Sequence, residues 1–451
     1  MSFASLPELQ ALDERRQLVR IPPELDIPLT PRVKRLIDTA EFRRLAQISQ
    51  LGLVGLVYPA ANHTRFEHSL GVYRLALIYL QQLAHDPRFV AVVTPHDAEL
   101  LIVGALLHDL GHWPFCHPIE DIRLAEVPEH EEFAGEYLTG PVLTELLRDD
   151  WGLAASDVVA FLATKPTEPA KRLLKSVLSG PIDIDKMDYL VRDSLHAGVP
   201  YGRNFDQQRL IGSLCVNAAG DGLAISDKGR TAAEMMVFAR YVMFSEVYWH
   251  HAVRAATAML QRAFYLIHQR LDLHRLFRLP ESALIAGLID AARDTPAAEL
   301  LDGLFGPRRR LFKRWAQFSF FEQHDLYQRL ARRPYPWLVA CAGRLAVGLS
   351  LELGREVPPD EILFDAPPVK REVEFNVDIH FPKEGCYRPL GAVSPVVQTL
   401  AQKQFDDYVK RVRIFVHPRW IEACRGLTTL DKLVHRAVDE TEACGHLAPP
   451  R

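Results

Sequence analysis

A vicinal His-Asp pair puts an imidazole nitrogen and a carboxylate side by side, a donor combination that suits a divalent cation. The chain carries four such pairs: His85-Asp86, His96-Asp97, His108-Asp109 and His324-Asp325. Their contexts separate them. His85-Asp86 precedes Pro87 at a helix end, and Asp97 stands where it can cap a helix beginning at Ala98. His324-Asp325 falls in the polar helical segment FFEQHDLYQRL. These three read as helix boundaries or surface. His108-Asp109 instead closes the apolar segment GALLHDLG, where a core-facing carboxylate is costly unless it is paired or binds a metal. On a continuing helix His112 falls one turn after His108, and PFCH adds His117 after a turn. Eight of the 18 histidines lie between positions 63 and 130, so donors are concentrated here.

Two other segments add donors. In NHTRFEHSLGVYRL, Thr64 and Glu67 form a capping box that puts Arg65 and His68 one turn apart at a helix start. Arg65 has Glu67 and Glu99 as candidate partners, and His68 taken alone reads more readily as a core imidazole than as a ligand. In SGPIDIDKMDYLVRDSLHAG, Asp183, Asp185, Asp188 and Asp193 interleave with apolar residues. At helical spacing Asp185, Tyr189 and Asp193 share a stripe flanked by Lys186 and Arg192. A helix N-terminus rich in Asp to match its dipole is the alternative reading, and the weaker of the two.

The elements that must position these groups are mostly helices. From residue 31 to about 345, apolar residues recur every three or four positions, and one long helix is expected over 232–271. Beyond ELGREVPPDEILFDAPP the pattern changes to alternation, so REVEFNVDIHF and KRVRIFVHP read as strands. The expected fold is mainly α: an N-terminal extension over 1–30, a helical core over 31–345, and a smaller C-terminal α+β region over 346–451. With 451 residues, 48% of them hydrophobic, the chain can bury a large core. A net charge of −4 argues for neither a strongly acidic nor a strongly basic partner. The basic run GPRRRLFKRW, ending at Trp315, reads as a solvated helix face or an anion contact, and a nucleic-acid partner has no other support. Six scattered cysteines without a CxxC pair read as free thiols. No signal peptide and no apolar run of transmembrane length is evident, so a soluble cytoplasmic protein without a membrane partner is expected.

Taken together, these segments resemble the HD-domain metal phosphohydrolases, whose H…HD…D pattern is matched by His68, His108-Asp109 and Asp185. Within that superfamily they are most similar to the deoxynucleoside triphosphate triphosphohydrolases of the sterile-alpha-motif/HD type, over about residues 31–265. The matching stretches are QLG at 50–52, RFEHSLGV from Arg65, HDLGHxPFxH over 108–117 and IDIDKxDYxxRD over 182–193. The resemblance implies an HD-domain helical core and one divalent ion held by His68, His108, Asp109 and Asp185. Mn, Fe, Mg, Zn, Co and Ni are all compatible with such a donor set, and additional Mg can arrive with the nucleotide.

The resemblance further implies that Arg65, His112, His117, Lys186 and Tyr189 contact phosphates, while Gln50, Leu51 and Asp193 surround the deoxyribose. His117, Glu120 and His130, with His112, match the catalytic proton-transfer set. Trp249 and His250 align with the other pocket wall, near an arginine at or beside Arg240. The implied reaction is attack of metal-activated water on the α-phosphorus of a deoxynucleoside triphosphate, releasing deoxynucleoside and inorganic triphosphate. Two alternatives remain: an HD phosphohydrolase or phosphodiesterase acting on another nucleotide or on nucleic-acid ends, and a nucleotide-sensing scaffold that retains the metal site. The chain departs from the family's activated members in three places. No sterile-alpha-motif domain is expected, since about 30 residues precede the first matching helix. RIPPELDIPL replaces the NDPxHGxI segment. Asp38 is kept, but Arg43 and Ala46 replace the Gln and Arg that face a guanine activator, so activity without that activator is expected. The tail AVSPVVQTLAQKQFDDYVKRVRIFVHP resembles a subunit-contact segment, which implies a homo-oligomer, dimer or tetramer.

Overall fold

The computed structural model describes residues 3–14, 18–23, 25–368, 376–401 and 409–444. The fold is mainly α, as the periodicity implies, with three small sheets among the described residues. Two compact units share the chain: Met1–Trp113, Glu129–Met243 and Val373–Gln404 form the first, and Pro114–Pro128, Phe244–Glu372 and Phe405–Arg451 the second.

Three helices organise the first unit. The helix α1 (Arg65–Leu83) is apolar on most faces and its Val72, Tyr73, Ala76, Leu77 and Leu80 are wholly buried, so it runs through the core. Its start is set by a clasp between two loops: Gln50 N donates to His63 O (2.9 Å) and Arg65 N to Ile48 O (3.0 Å). The expected capping box is not formed. Thr64 is the N-cap but its side chain makes no capping bond, because Glu67 is drawn away by Arg192 and His196. The helix α2 (Pro95–Leu107) begins earlier than expected, with Thr94 as N-cap and Asp97 as its capping-box partner rather than as the cap. It stops at Leu107, so His112 lies beyond it in a turn and not on a continuing helix. The helix α3 (Ile184–His196) is capped by Asp183, whose carboxylate accepts from Lys186 N (2.7 Å). α1 packs against both α2 and α3.

The unit also contains a four-stranded sheet, in which Leu223–Ser226 pairs antiparallel with Leu214–Val216 and parallel with Asp378–Phe381. Cys386–Pro389 completes it beside Asp378–Phe381. The first part of the expected strand REVEFNVDIHF lies outside the described residues; its end forms Asp378–Phe381.

In the second unit Val412–Val416 is the central strand between Lys313–Phe318 and Ile362–Asp365. The helices Tyr335–Leu353 and Leu430–Ala443 supply much of the core below it, through Leu338, Cys341, Leu345, Leu349, Val434 and Val438. The expected boundary at 345/346 falls inside Tyr335–Leu353. That helix also corrects the expectation on apolar length: its 19 residues are long and apolar enough to cross a membrane by length and composition alone. The basic run before Trp315 is no helix face either, since its end enters the strand Lys313–Phe318. The long helix expected over 232–271 is broken. Arg230–Met243 gives way to a π-helical turn, Phe244–Tyr248, and His250 then leaves helical geometry and caps His251–Ile267 through its own ring. Periodicity continues across this break, which is why it is silent in the sequence. All six cysteines are free thiols.

Leu345 is fully buried in the second unit. Leu345→Ala is expected to cost about 2–5 kcal/mol of stability, read as a lower midpoint in urea unfolding.

Candidate metal centre

His68 on α1, His108 at the C-cap of α2, Asp109 after it and Asp185 in the first turn of α3 converge at one point. His68 Nε2 lies 3.1 Å from Asp185 Oδ1 and 3.3 Å from His108 Nε2. His108 Nε2 is 3.5 Å from Asp109 Oδ1, and Asp109 Oδ2 is 4.0 Å from His68 Nε2. His68, His108 and Asp185 each turn one donor atom into a common space of metal-site size.

The far ring nitrogens explain why the near ones face inward. His68 Nδ1 donates to Asp188 Oδ2 (2.8 Å) and His108 Nδ1 to Ala105 O (2.9 Å), which leaves both Nε2 atoms as ligand atoms. Asp188 is in turn held by two bonds from Arg192 (2.7 Å each), and Arg192 also reaches Glu67 (2.6 Å). Asp109 accepts from Arg65 Nη1 (2.8 Å) and lies 3.1 Å from His112 Nδ1.

Charge balance points the same way. The carboxylates of Asp109, Asp185, Asp188 and Glu67 face the guanidiniums of Arg65 and Arg192, so with neutral imidazoles the cluster is two positive charges short. A divalent cation supplies that charge. Without one, protons are retained: burial disfavours the imidazolium of His68, yet Asp185 and Asp188 outweigh it and push the ring up to about 10. Burial also opposes ionisation of Asp188, but Arg192 and then His68 hold it at about 2. Asp109 stays well below the usual carboxylate range because Arg65, then His112 and His108, overcome its burial. The donor set, its orientation and its charge all fit a divalent metal.

Comparison with known proteins gives the family. An HD domain matches residues 65–173 and an HD associated region matches residues 205–424. An uncharacterised protein of Methanocaldococcus jannaschii is 32% identical over 380 residues, covering 83% of this chain and 74% of that protein. The chain belongs to the HD-domain family. The deoxynucleoside triphosphate triphosphohydrolase SAMHD1 of Gallus gallus is 30% identical to this HD-domain protein over 293 residues, 58% of this chain and 47% of that one. The chain thus spans about half the length of that relative. Among solved structures, a hypothetical protein from Aquifex aeolicus superposes with a TM-score of 0.68 at 28% identity, covering 90% of this chain and 98% of that one. A phosphohydrolase from Bacteroides thetaiotaomicron, at 24% identity, shares the fold with a TM-score of 0.65 over 89% of this chain and 100% of its own.

The remaining expected residues divide between the units of this HD-domain protein. In the first, His112 is buried with its ring centroid 4.0 Å from that of His130, which opens the helix His130–Leu138. Gly111 makes that approach possible, since a Cβ there would lie 2.0 Å from the His130 carbonyl oxygen. Lys186 is drawn back to its own N-cap, with Nζ 2.6 Å from Asp183 Oδ2, so it points to a carboxylate rather than outward to phosphate. Tyr189, Gln50 and Leu51 are half-buried, Asp193 and Arg240 are buried, and Gln50 Oε1 is a buried acceptor without a hydrogen-bond partner.

In the second unit His117 is largely exposed on Cys116–Glu120, with Nδ1 3.5 Å from Glu120 Oε2. Trp249 is spent on packing: its indole N–H donates to Arg411 O (3.1 Å) and the Arg254 guanidinium lies 4.0 Å over its ring. His250 caps the following helix. Of the other His-Asp pairs, Asp86 caps a helix through Arg88 N and Asp325 is exposed, as expected of boundaries and surface.

Sequence reading missed Asp188, Arg192 and Glu67 as the support of His68. The Asp188–Arg192 spacing of four was a visible signal of a pair; its partner His68, 120 residues away, was not. Gly71 belongs to the same support. A Cβ on it would lie 1.9 Å from Asp188 Oδ1 and 2.4 Å from Arg192 Nη2.

Both Gly71→Ala and Asp188→Asn are expected to weaken metal affinity about 10–100-fold, measured as metal retained against a competing chelator. Affinity is also expected to rise with pH. The His68 proton supports the metal-free state below the ordinary value near 6.5, and that support is lost as pH climbs through about 10, so the metal competes with fewer protons. Calorimetric titration in buffers of different ionisation enthalpy reads the proton release; affinity flat between pH 6.5 and 9 contradicts this.

Proposed function

We propose that this HD-domain protein hydrolyses deoxynucleoside triphosphates to deoxynucleoside and inorganic triphosphate, with His68, His108, Asp109 and Asp185 holding one divalent ion. The observation that carries the reading is the convergence of two oriented Nε2 atoms and two carboxylates from three helices. The named activity of the Gallus gallus relative supports the choice of substrate. When bound, a divalent ion acidifies water and neutralises phosphate charge.

The chain's own residues do the rest. Asp188 and the Ala105 carbonyl keep both ligand imidazoles in the tautomer that presents Nε2. Arg65 fixes Asp109 while its Nε, buried without a partner, remains as a donor for a phosphate oxygen. Glu120 orients the exposed His117 ring, which suits it to give a proton to the departing 5′-oxygen, with His130 the other candidate. Gln50 Oε1 and Asp193 offer acceptors to a sugar hydroxyl. The mixed nitrogen and oxygen donors accept Mn, Fe, Mg, Zn, Co or Ni. A cytoplasmic homo-oligomer is part of the same reading.

A second reading, hydrolysis of another nucleotide, is favoured by one observation: Trp249, expected against the sugar, is engaged by Arg254 and the Arg411 carbonyl. One experiment separates the two. Metal-loaded protein is incubated with each deoxynucleoside triphosphate, each ribonucleoside triphosphate and a set of monophosphates, and products are identified by chromatography. Deoxynucleoside plus triphosphate is the expected outcome; release of orthophosphate alone overturns it. Asp185→Ala is expected to lower turnover at least about a hundredfold together with metal content, whereas Asp325→Ala leaves both unchanged.

A further inference from the structure

His63 precedes the metal helix in NHTRFEH and has no role in the reaction as described above. Its side chain is completely buried, and three contacts hold it. The ring edge meets Asp193, with Nε2 2.9 Å from Oδ1. One ring face stacks on His196 at 4.3 Å and 16°, and His196 is itself held by Glu67 (3.0 Å). The main-chain carbonyl of His63 accepts from Gln50 N at 2.9 Å, inside the clasp that starts α1.

Since the Asp193 carboxylate can only accept, Nε2 carries a proton toward it, and Nδ1 is the ring nitrogen on the other side. Nδ1 is buried and has no hydrogen-bond partner, and the same holds for Gln50 Oε1. A phenyl ring could stack on His196 in the same place, but it would leave the buried Asp193 carboxylate without its Nε2–H donor. The imidazole is therefore explained by Asp193, whose carboxylate it holds in one orientation.

We propose that His63 is the positioning residue for sugar recognition: one residue fixes Gln50 through its main chain and Asp193 through its ring, so the two acceptors meet the sugar as a single rigid pair. This rests on the deoxynucleotide reading above. His63 lies outside the ligand set and acts through Asp193, so its loss changes binding and discrimination and spares the metal.

The test uses the full-length protein and the variants His63→Phe, which keeps the stacking ring, and His63→Gln, which returns an N–H donor toward Asp193. Metal content, KM and kcat are measured with deoxynucleoside and ribonucleoside triphosphates, and binding of both is measured by calorimetry. His63→Phe is expected to keep its metal, to raise KM for deoxynucleotides about tenfold with the loss falling on KM rather than kcat, and to narrow the deoxy-over-ribo preference about tenfold. His63→Gln is expected to recover most of both. If wild type prefers deoxynucleotides and His63→Phe keeps that preference, or if His63→Phe loses metal, the positioning role is overturned while the deoxynucleotide reading stands. If wild type neither binds nor hydrolyses deoxynucleoside triphosphates, the reading itself fails and the role falls with it.

Discussion

The hydrogen bond from His68 Nδ1 to Asp188 is the constraint on which the rest of the centre depends. A histidine presents only one nitrogen to a ligand reliably when the other is committed, and the committing group must be stronger than water. Here it is a carboxylate held by Nε and Nη2 of Arg192. Arg192 is buried, so it in turn needs Glu67, and Glu67 stands next to His68 on α1. The chain of bonds therefore closes on itself across α1 and α3. Each member is costly to bury alone and affordable only with the others present.

That closure sets a steric condition on α1. The pair on α3 must approach the α1 backbone more closely than any side chain permits, and Gly71 is the residue at that point. Gly111 does the same for the turn after α2, where the His130 carbonyl presses against its Cα. The candidate metal centre is thus shaped as much by absent side chains as by the donor groups present. Neither glycine has a left-handed backbone, so close packing rather than conformational freedom is what each position requires.

The helical class was legible because it rests on local pattern, the three- and four-residue apolar spacing, whereas the candidate metal donors came together as a set only through the resemblance of the matching stretches. His108-Asp109 stood out through the apolar helix behind it. The partners of the donors were not legible, because Asp188 and Glu67 are polar residues on helices whose roles are fixed by residues far away in the chain. The capping box at Thr64 failed for that reason, since a distant arginine competes better for Glu67 than the local backbone does. Lys186, expected on phosphate, was captured by its neighbour Asp183. The break at Trp249 and His250 stayed hidden because apolar spacing persists through it.

The parallel pairing of Leu223–Ser226 with Asp378–Phe381 carries a consequence for synthesis. The unit that holds the metal donors begins within the first residues and completes its sheet only with Cys386–Pro389. As the chain leaves the ribosome, Leu223–Ser226 has one open edge while more than a hundred residues of the second unit are still being made. An open strand edge invites pairing with other chains. The period of greatest exposure to misassembly is therefore set by the length of the insertion, and the donor-bearing helices wait through it with their sheet half built.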